Sequence, residues 1–374
     1  MAFSAKRTPK YDKDEGPVTT QASVDEPELA SVHRIDPAKP ALPGFTPTDS
    51  DWLAHPFTSS QYPLQTPNVQ RMFRSVRTLI RNNISGHYFK AYPGDGVTET
   101  LQALAEMLEH SIDGLKIVYH SLAKGRTQNV RLLYLNFWLT LAGSFTAGYT
   151  EDIKARLLIR FEELARLSKP RAILLLIDNL HHVEEEDVSF LSELRHYLKD
   201  RKLKLIVFSG GHDPGMGAVE EKMKKGKISR EAWKEVVGTE VPFSGVQSIG
   251  EVREIFEAID EQQHAGTTWS GFFVQRPDGR DFVLAGEVHN FEVAFREVSS
   301  GTHKDLLSIG MPLRSLMYTV RLFFDFVSQV EKSTLTDDIR QHCWVEAMRW
   351  VHLAGVVGGK GDAGVLNGGL SPEA

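Results

Sequence analysis

The chain has 374 residues, 41% hydrophobic and 25% charged, with a formal net charge of -6. It can bury a sizeable core, and it is not disordered as a whole. A single cysteine excludes a disulfide scaffold and any multi-cysteine zinc or iron–sulfur site.

The first 48 residues are rich in Pro, Thr, Ser, Asp and Lys with no periodic apolar pattern, which predicts a disordered tail. They lack the apolar h-region of a secretory signal. Thr66-Pro67 predicts a helix start, Thr as N-cap and Pro at the first helical position. That helix is expected to reach about Asn82, with Val69, Met72, Phe73, Val76, Leu79 and Ile80 on one face. A short strand is expected at residues 87–90, a Pro/Gly turn at 92–96, and a helix striped by Leu101, Leu104, Ala105 and Leu108. Residues 115–120 read as a strand, and 130–141 and 153–167 as helices.

The apolar run 172–177 has the continuous character of a central parallel strand covered on both faces. A helix over 190–198 and a second buried strand over 203–208 follow. Beyond about residue 282 helices dominate: 283–295, 313–330 and 337–351. Strands alternating with helices predict an α/β core with a mostly parallel sheet. The expected division is a tail 1–48, an α/β core 49–263, a small C-terminal helical lid 264–355 and a Gly-rich tail 356–374. No apolar run approaches the ~20 residues of a membrane helix, so the expectation is a cytoplasmic protein with no membrane partner.

The turn at 91–98 fits the spacing of a phosphate-binding loop, G-x-x-x-x-G-K-[ST]. Ala91 falls in the first Gly slot and Gly96 in the second, with Gly94 between them. Val97 takes the Lys slot, and Thr98 the slot of the Mg²⁺ ligand. The glycines can still aim backbone N–H groups at a phosphate from a helix N-terminus, but valine supplies no charge. The strand 173–177 ends in Asp178-Asn179, where a hydrolysing site carries Asp-Glu. The Asp organises the metal shell there and the next residue polarises water, which Asn cannot do as a base. A plain strand–turn–helix, and an Asp that caps the following turn, are the competing readings of these two stretches. The strand at 204–208 runs into Ser209-Gly210-Gly211-His212, the place where an AAA+ ATPase keeps its sensor residue.

In order and pattern these pieces resemble the AAA+ regulators of DNA transposition, the TnsC/TniB type. The likeness spans about residues 50–355. It includes His55-Pro56-Phe57, Pro63-Leu64-Gln65-Thr66, Ile177-Asp178-Asn179-Leu180-His181-His182, Val241-Pro242-Phe243-Ser244-Gly245 and the segment from Met311 to Phe324. The resemblance implies an AAA+, P-loop NTPase-like fold, with Arg314 as a candidate lid arginine. It also marks this chain as degenerate. Besides Val97 and Asn179, Thr239 stands where the family carries an arginine that reaches a neighbouring subunit's nucleotide; such a finger is worth ~10³–10⁵ in rate. The expected consequence is a pseudo-ATPase with no catalytic residue. It needs no cofactor, or holds ATP and Mg²⁺ weakly or at a junction with an active paralogue.

Two stretches free of acidic residues, 68–93 and 115–150, concentrate basic charge. Arg71, Arg74, Arg77 and Arg81 recur at helical spacing and share one face. The loop with Lys124, Arg126 and Thr127, together with Arg131, is expected to contact duplex phosphates without reading sequence; in the resembled family it lines a central channel. The partners implied are double-stranded DNA, a transposase and a target-selecting TniQ-like adaptor, bridged by a homo-oligomer or a hetero-oligomer with an active AAA+ paralogue. A slow ATP-hydrolysing switch and an AAA+-shaped scaffold without DNA are the alternatives. No metal site is expected, because the adjacent His181 and His182 cannot share a helix face.

Overall fold

The computed structural model describes residues 48–59, 64–123, 129–144, 146–213, 215–274, 280–299, 310–331 and 334–353. The expected tails, apart from Thr48, and the loop residues Lys124, Arg126 and Thr127 lie outside the described residues.

Thr48 caps the first short helix, α1 (Asp49–Ala54), through a reciprocal pair of bonds with Asp51, and α2 (Pro56–Ser59) follows. Helix α3 (Pro67–Asn82) begins as its sequence predicts: the Thr66 hydroxyl accepts the Val69 N–H, with Pro67 in the first turn. It buries Val69, Met72, Val76 and Leu79. The sheet then builds as β1 (Gly86–Ala91), α4 (Val97–Ser111), β2 (Lys116–Ser121), α5 (Val130–Ala142), α6 (Thr150–Leu167), β3 (Ala172–Asp178), α7 (Glu185–Asp200), β4 (Lys204–His212), α8 (Gly215–Lys224), α9 (Arg230–Val236) and the short β5 (Thr239–Glu240).

The five strands are parallel, in the order β2-β3-β4-β1-β5. Every residue of β3 is buried, as its unbroken apolar run requires of a strand covered on both faces. On one face Leu174, Leu176, Ile206, Phe208 and Phe89 pack under α3 and α4. On the other, Ile173, Leu175, Ile177, Leu205 and Val207 pack under α5, α6, α7 and α9. The strand with the highest apolar content thus sits between layers, and its carboxyl end opens toward the turn after β1.

Three boundaries differ from expectation. Strand β4 continues past Phe208 through the glycines to His212, because Tyr88, Phe89, Lys90 and Ala91 of β1 keep pairing with it. Helix α7 begins at Glu185, since the Asp187 carboxylate accepts the Glu184 N–H and acidic groups in the first turn suit the helix dipole. The helix expected over 283–295 is a 3₁₀ turn (Leu284–Glu287) leading into α12 (Val288–Ser299).

The C-terminal part contains α10 (Ile249–Asp260), a hairpin of β6 (Gln263–His264) and β7 (Thr267–Thr268), α11 (Trp269–Phe273), α12, α13 (Leu313–Ser328) and α14 (Asp337–Leu353). Its core is aromatic: Trp344 stacks on Phe323 with ring centroids 3.9 Å apart and lies parallel to Phe256. Val246, Val252, Ile255, Phe256 and Ile259 belong to this cluster, as does Phe57 from α2. By packing, the helical region therefore starts near Val246, ahead of the expected division at 263/264. Asp260 ties it together, accepting the Ser270 hydroxyl and the N–H groups of Leu284 (3.0 Å) and Ala285 (2.8 Å). Cys343 is buried in α14. No helix among the described residues is long and apolar enough to cross a membrane.

Candidate functional site

The turn between β1 and α4 sits where parallel-sheet folds place ligands, outside the carboxyl ends of the strands. Gly94 and Gly96 adopt φ of 97° and 85°, values that a side chain bearing Cβ resists. The turn is closed on itself. Tyr92 N–H donates to Asp95 Oδ2 (3.0 Å), and Asp95 N–H donates to Tyr92 O (3.1 Å). Asp95 is buried, and that burial pushes its carboxyl up to about 6 against the opposing Tyr92 N–H bond.

Val97, in the lysine slot, is 1% exposed and belongs to the core under α4. Its Cγ1 occupies the space directly over Gly210, where an added Cβ would lie 2.6 Å away. The valine is a packing residue, and β4 has a glycine to receive it. Thr98, one residue on, points to the end of β3: its hydroxyl donates to Asp178 Oδ2 at 2.9 Å. The Tyr119 hydroxyl from β2 donates to the same oxygen at 2.8 Å, and Asn179 N–H donates to Oδ1 at 2.7 Å. Asp178 is 2% exposed, so its charge is held by three donors from this chain. Burial, then the Asp178 charge, push the Tyr119 phenol up, with Glu99 adding to the effect. Asn179 takes a left-handed φ of 57° and donates its side-chain N–H to Ser121 Oγ, 3.0 Å away.

Two residues of the site, Tyr119 and His212, are brought there by the strands and not by a motif of their own. Tyr119 comes from β2, with no motif to mark it. His212 is the polar residue of β4 that lines the site. Alternation puts Phe208, Gly210 and His212 on the α4 face and Ser209 on the other, where the Ser209 hydroxyl is buried without a hydrogen bond among the described residues. Ser209 is therefore turned away from the loop. Burial holds the His212 imidazole below its usual range, with Asp178 and Glu99 opposing and Arg314 assisting.

Helix α13 lies against the turn. Arg314 N–H donates to Gly94 O at 2.9 Å, and a Cβ on Gly96 would meet Leu313 Cδ2 at 3.1 Å. Between turn and helix is a cavity of about 280 Å³, its lining including Phe57, Trp269, Met317 and Tyr318 together with Thr98, Glu99, His212 and Arg314. The Arg321 guanidinium, also in the lining, donates to Phe57 O (2.6 Å) and lies over the Phe57 and Tyr318 rings.

A nucleotide triphosphate with Mg²⁺, the group this fold implies, does not fit these residues. The cation that would meet the phosphates is replaced by a buried valine, and the turn's Tyr92 and Asp95 N–H groups are bonded within the turn. The metal-shell carboxylate already accepts two hydroxyls and an amide.

The basic residues separate. Arg71 pairs with Glu251 of α10 at 3.1 Å and also bonds Asn68. Arg74 and Arg81 are exposed on the same face of α3, and Arg77 lies over the Phe73 ring. Arg131, at the start of α5, donates to Gly148 O at 2.7 Å. Thr239, in the arginine-finger slot, begins the edge strand β5, its hydroxyl hydrogen-bonded to His87 Nδ1 at 2.8 Å. Among the described residues no group of His, Cys, Asp and Glu side chains could hold a metal ion.

The sheet order, the turn after β1 against the end of β3, and the helical region resting on that turn define an α/β, P-loop NTPase-like core of the AAA+ type with a helical C-terminal region. No family model matches the chain, and no curated protein matches its sequence. Among solved structures it is similar to Cdc6p from Pyrobaculum aerophilum (15% identity, TM-score 0.46, covering 73% of this chain and 65% of that one). It is also similar to the Aeropyrum pernix Orc1 protein in complex with DNA (13%, TM-score 0.45, 82% and 68%). A third similarity is to Drosophila ORC bound to DNA (15%, TM-score 0.42, 83% and 70%). The fold class rests on strand order and site geometry, not on these superpositions.

Proposed function

We propose that this chain is an AAA+-type assembly protein that does not hydrolyse ATP, and that it acts by binding duplex DNA and other proteins. The observation that carries this reading is the state of Asp178: its carboxylate is engaged by Thr98, Tyr119 and the Asn179 N–H, beside a loop whose lysine position is a core valine. Asn179 offers no base in the slot that polarises water. The finer reading, on the sequence resemblance, is a transposition protein that bridges a TniQ-like adaptor and a transposase on target DNA, as a homo-oligomer or beside an active AAA+ paralogue. Support for DNA comes from the exposed arginines of α3 and from the basic loop at Lys124, Arg126 and Thr127.

The direct test is phosphate release by the full chain with duplex DNA present. No turnover above background is expected; turnover that disappears in Asp178→Asn would overturn the reading. For DNA, the expected result is sequence-independent binding that weakens steeply with salt. Arg74→Ala with Arg81→Ala should weaken binding to all duplexes alike and lower the salt slope by roughly two contacts. Arg71→Ala, whose partner is Glu251, should cost stability instead. Equal binding by the double variant and its parent would remove α3 from the interface. Capture of a transposase by the full-length protein is the expected result that tests the bridging role.

A further inference from the structure

The carboxyl ends of the strands hold the site; their amino ends form the opposite edge of the sheet. Helices α3, α4, α6 and α7 run to that edge and turn into β1, β2, β3 and β4, which lie in the order β2-β3-β4-β1. Each of these turns holds a residue in the left-handed conformation. Before β1 and β2 it is Asn83 (φ 57°) and Gly114 (φ 70°), residue types that tolerate it. Before β3 and β4 it is Arg171 (φ 52°) and Lys202 (φ 58°). Their Cβ atoms are disfavoured in that backbone, yet both positions carry long, exposed cationic side chains.

The same edge is short of carboxylates. The turn into β1 brings Arg81 and no acid; the turn into β3 brings Arg166, Lys169 and Arg171 and none. The turn into β4 carries Lys199, Arg201, Lys202 and Lys204 against Asp200, and the turn into β2 carries Lys116 against Glu109 and Asp113. Glu162 of α6 holds Arg166 (2.7 Å) and Arg201 (2.8 Å), and Asp113 holds Lys169. Cations in the last turn of a helix complement its dipole, which accounts for part of this charge. Once the helix C-termini, each worth about half a negative charge, and Glu162 are counted, an excess of about three positive charges remains. Arg81, Lys116, Arg171, Lys202 and Lys204 are exposed and have no ion-pair partner among the described residues. Lys204 N–H donates to Arg171 O at 3.1 Å, and Lys116 stands opposite Ile173 in the register. The free cations thus form a row across neighbouring strands, about 14 Å long at ~4.8 Å per strand.

We propose that this amino edge of the sheet, opposite the β1–α4 turn, binds the phosphate backbone of duplex DNA. The inference rests on the reading that the chain binds duplex DNA, and adds to it a second place of contact. Unpaired Lys and Arg side chains neutralise phosphates and release counterions, and the exposed amide of Asn83 adds a neutral donor. A single strand would need exposed rings to stack its bases. The exposed aromatic residues Tyr92, Tyr149, Tyr318 and Trp350 all fall outside these turns. A protein partner draws its affinity from apolar anchors clustered at the centre of a contact. Here the exposed apolar residues are Ile84 and Leu167, which enter β1 and β3 and are separated by β4. Arg and Lys at left-handed positions lower stability, as residues kept for binding do.

The test is fluorescence anisotropy of labelled duplexes of random sequence, titrated with the full chain at several salt concentrations, alongside thermal melts. Arg171→Gly with Lys202→Gly removes two charges and both left-handed Cβ atoms. This variant should bind all duplexes roughly tenfold more weakly, with a salt slope lower by roughly two contacts. It should melt no lower than the parent, because glycine accepts the conformation. Cations that only complement helix dipoles would show the reverse, a lower melt with unchanged binding, and that result would overturn the inference. Lys116→Ala with Lys204→Ala should weaken binding likewise, and carries the test if the first variant does not fold. Binding equal to the parent's in both variants, while Arg74→Ala with Arg81→Ala weakens it, would overturn the inference and leave the DNA reading standing. No duplex binding by the parent would overturn both. Displacement of the duplex by polyglutamate at equal charge concentration would overturn the assignment in favour of an acidic protein segment.

Discussion

The Thr98 hydroxyl donates to Asp178 Oδ2 across 2.9 Å, joining the first turn of α4 to the end of β3. With Tyr119 and the Asn179 N–H, this bond makes Asp178 the node of a buried polar network rather than an open metal-shell carboxylate. A network that is fully satisfied rigidifies its surroundings, and breaking one member exposes the rest to an unpaired burial cost.

Asp178→Ala should therefore destabilise the fold, leaving two hydroxyls and an amide without their acceptor. The expected loss is about 2–4 kcal/mol, read as a lower urea midpoint with unchanged m. Tyr119→Phe, which removes one donor and leaves the other two, should lose about 1 kcal/mol. Equal stability of Asp178→Ala and the parent would show that the carboxylate is not a structural node.

Asp95 sets a pH dependence of known sign. Its folded carboxyl titrates at about 6, above the ordinary value of 3.8, because burial disfavours the charge. Its contribution is thus fully present below 3.8 and is lost as pH rises through 6. Asp95→Asn should be more stable than the parent at pH 8, by on the order of 1–2 kcal/mol, with the gap closing toward pH 4. Thermal melts of both proteins across that range measure it; a gap independent of pH would contradict the account.

His55 has the opposite dependence. It is fully buried among His264, Trp269, Phe272 and Phe273, with Nδ1 accepting the Phe57 N–H at 3.1 Å. Burial, aided by the His264 charge, pushes its imidazole down from 6.5 to about 3. The ring stays neutral in the fold while the unfolded chain protonates. Stability is complete above 6.5 and falls as the pH drops from there toward 3. His55→Phe should be less stable at pH 8, having lost the bond to Phe57 N–H, yet show a flatter decline between pH 6.5 and 4. A slope identical to the parent's would place the acid sensitivity elsewhere.

Gly210 and Val97 should behave as a coupled pair. A Cβ on Gly210 would lie 2.6 Å from Val97 Cγ1 and 2.8 Å from Phe89 Cζ. Gly210→Ala should cost about 2–3 kcal/mol through overpacking, and Val97→Ala about 1–2 kcal/mol through lost burial. Combined, they should cost at least ~1 kcal/mol less than their sum, as denaturant unfolding of the four proteins would reveal. Strict additivity would mean that the two positions do not share this space.

By itself the sequence determined the local features. The Thr66-Pro67 start of α3, the buried run of β3 and the register of α4's apolar stripe all follow from periodicity and capping, which involve residues a few positions apart. The loss of charge at Val97 and of a base at Asn179 was equally legible, since each is a matter of residue type in a spaced slot. The partners of those slots were decided only by the tertiary structure. Thr98 and Tyr119 reach Asp178 from 80 and 59 residues away, and Arg71 finds Glu251 across 180. No local pattern encodes such pairings, because they depend on which strand lies beside which. Strand alternation would have turned His212 toward the site in place of Ser209 had the end of β4 been known. Two glycines there have the composition of a turn, and pairing with β1 keeps them in the strand. Helix α10 likewise has an apolar face that fits either core, and its packing against the aromatic cluster around Trp344 assigns it to the helical region.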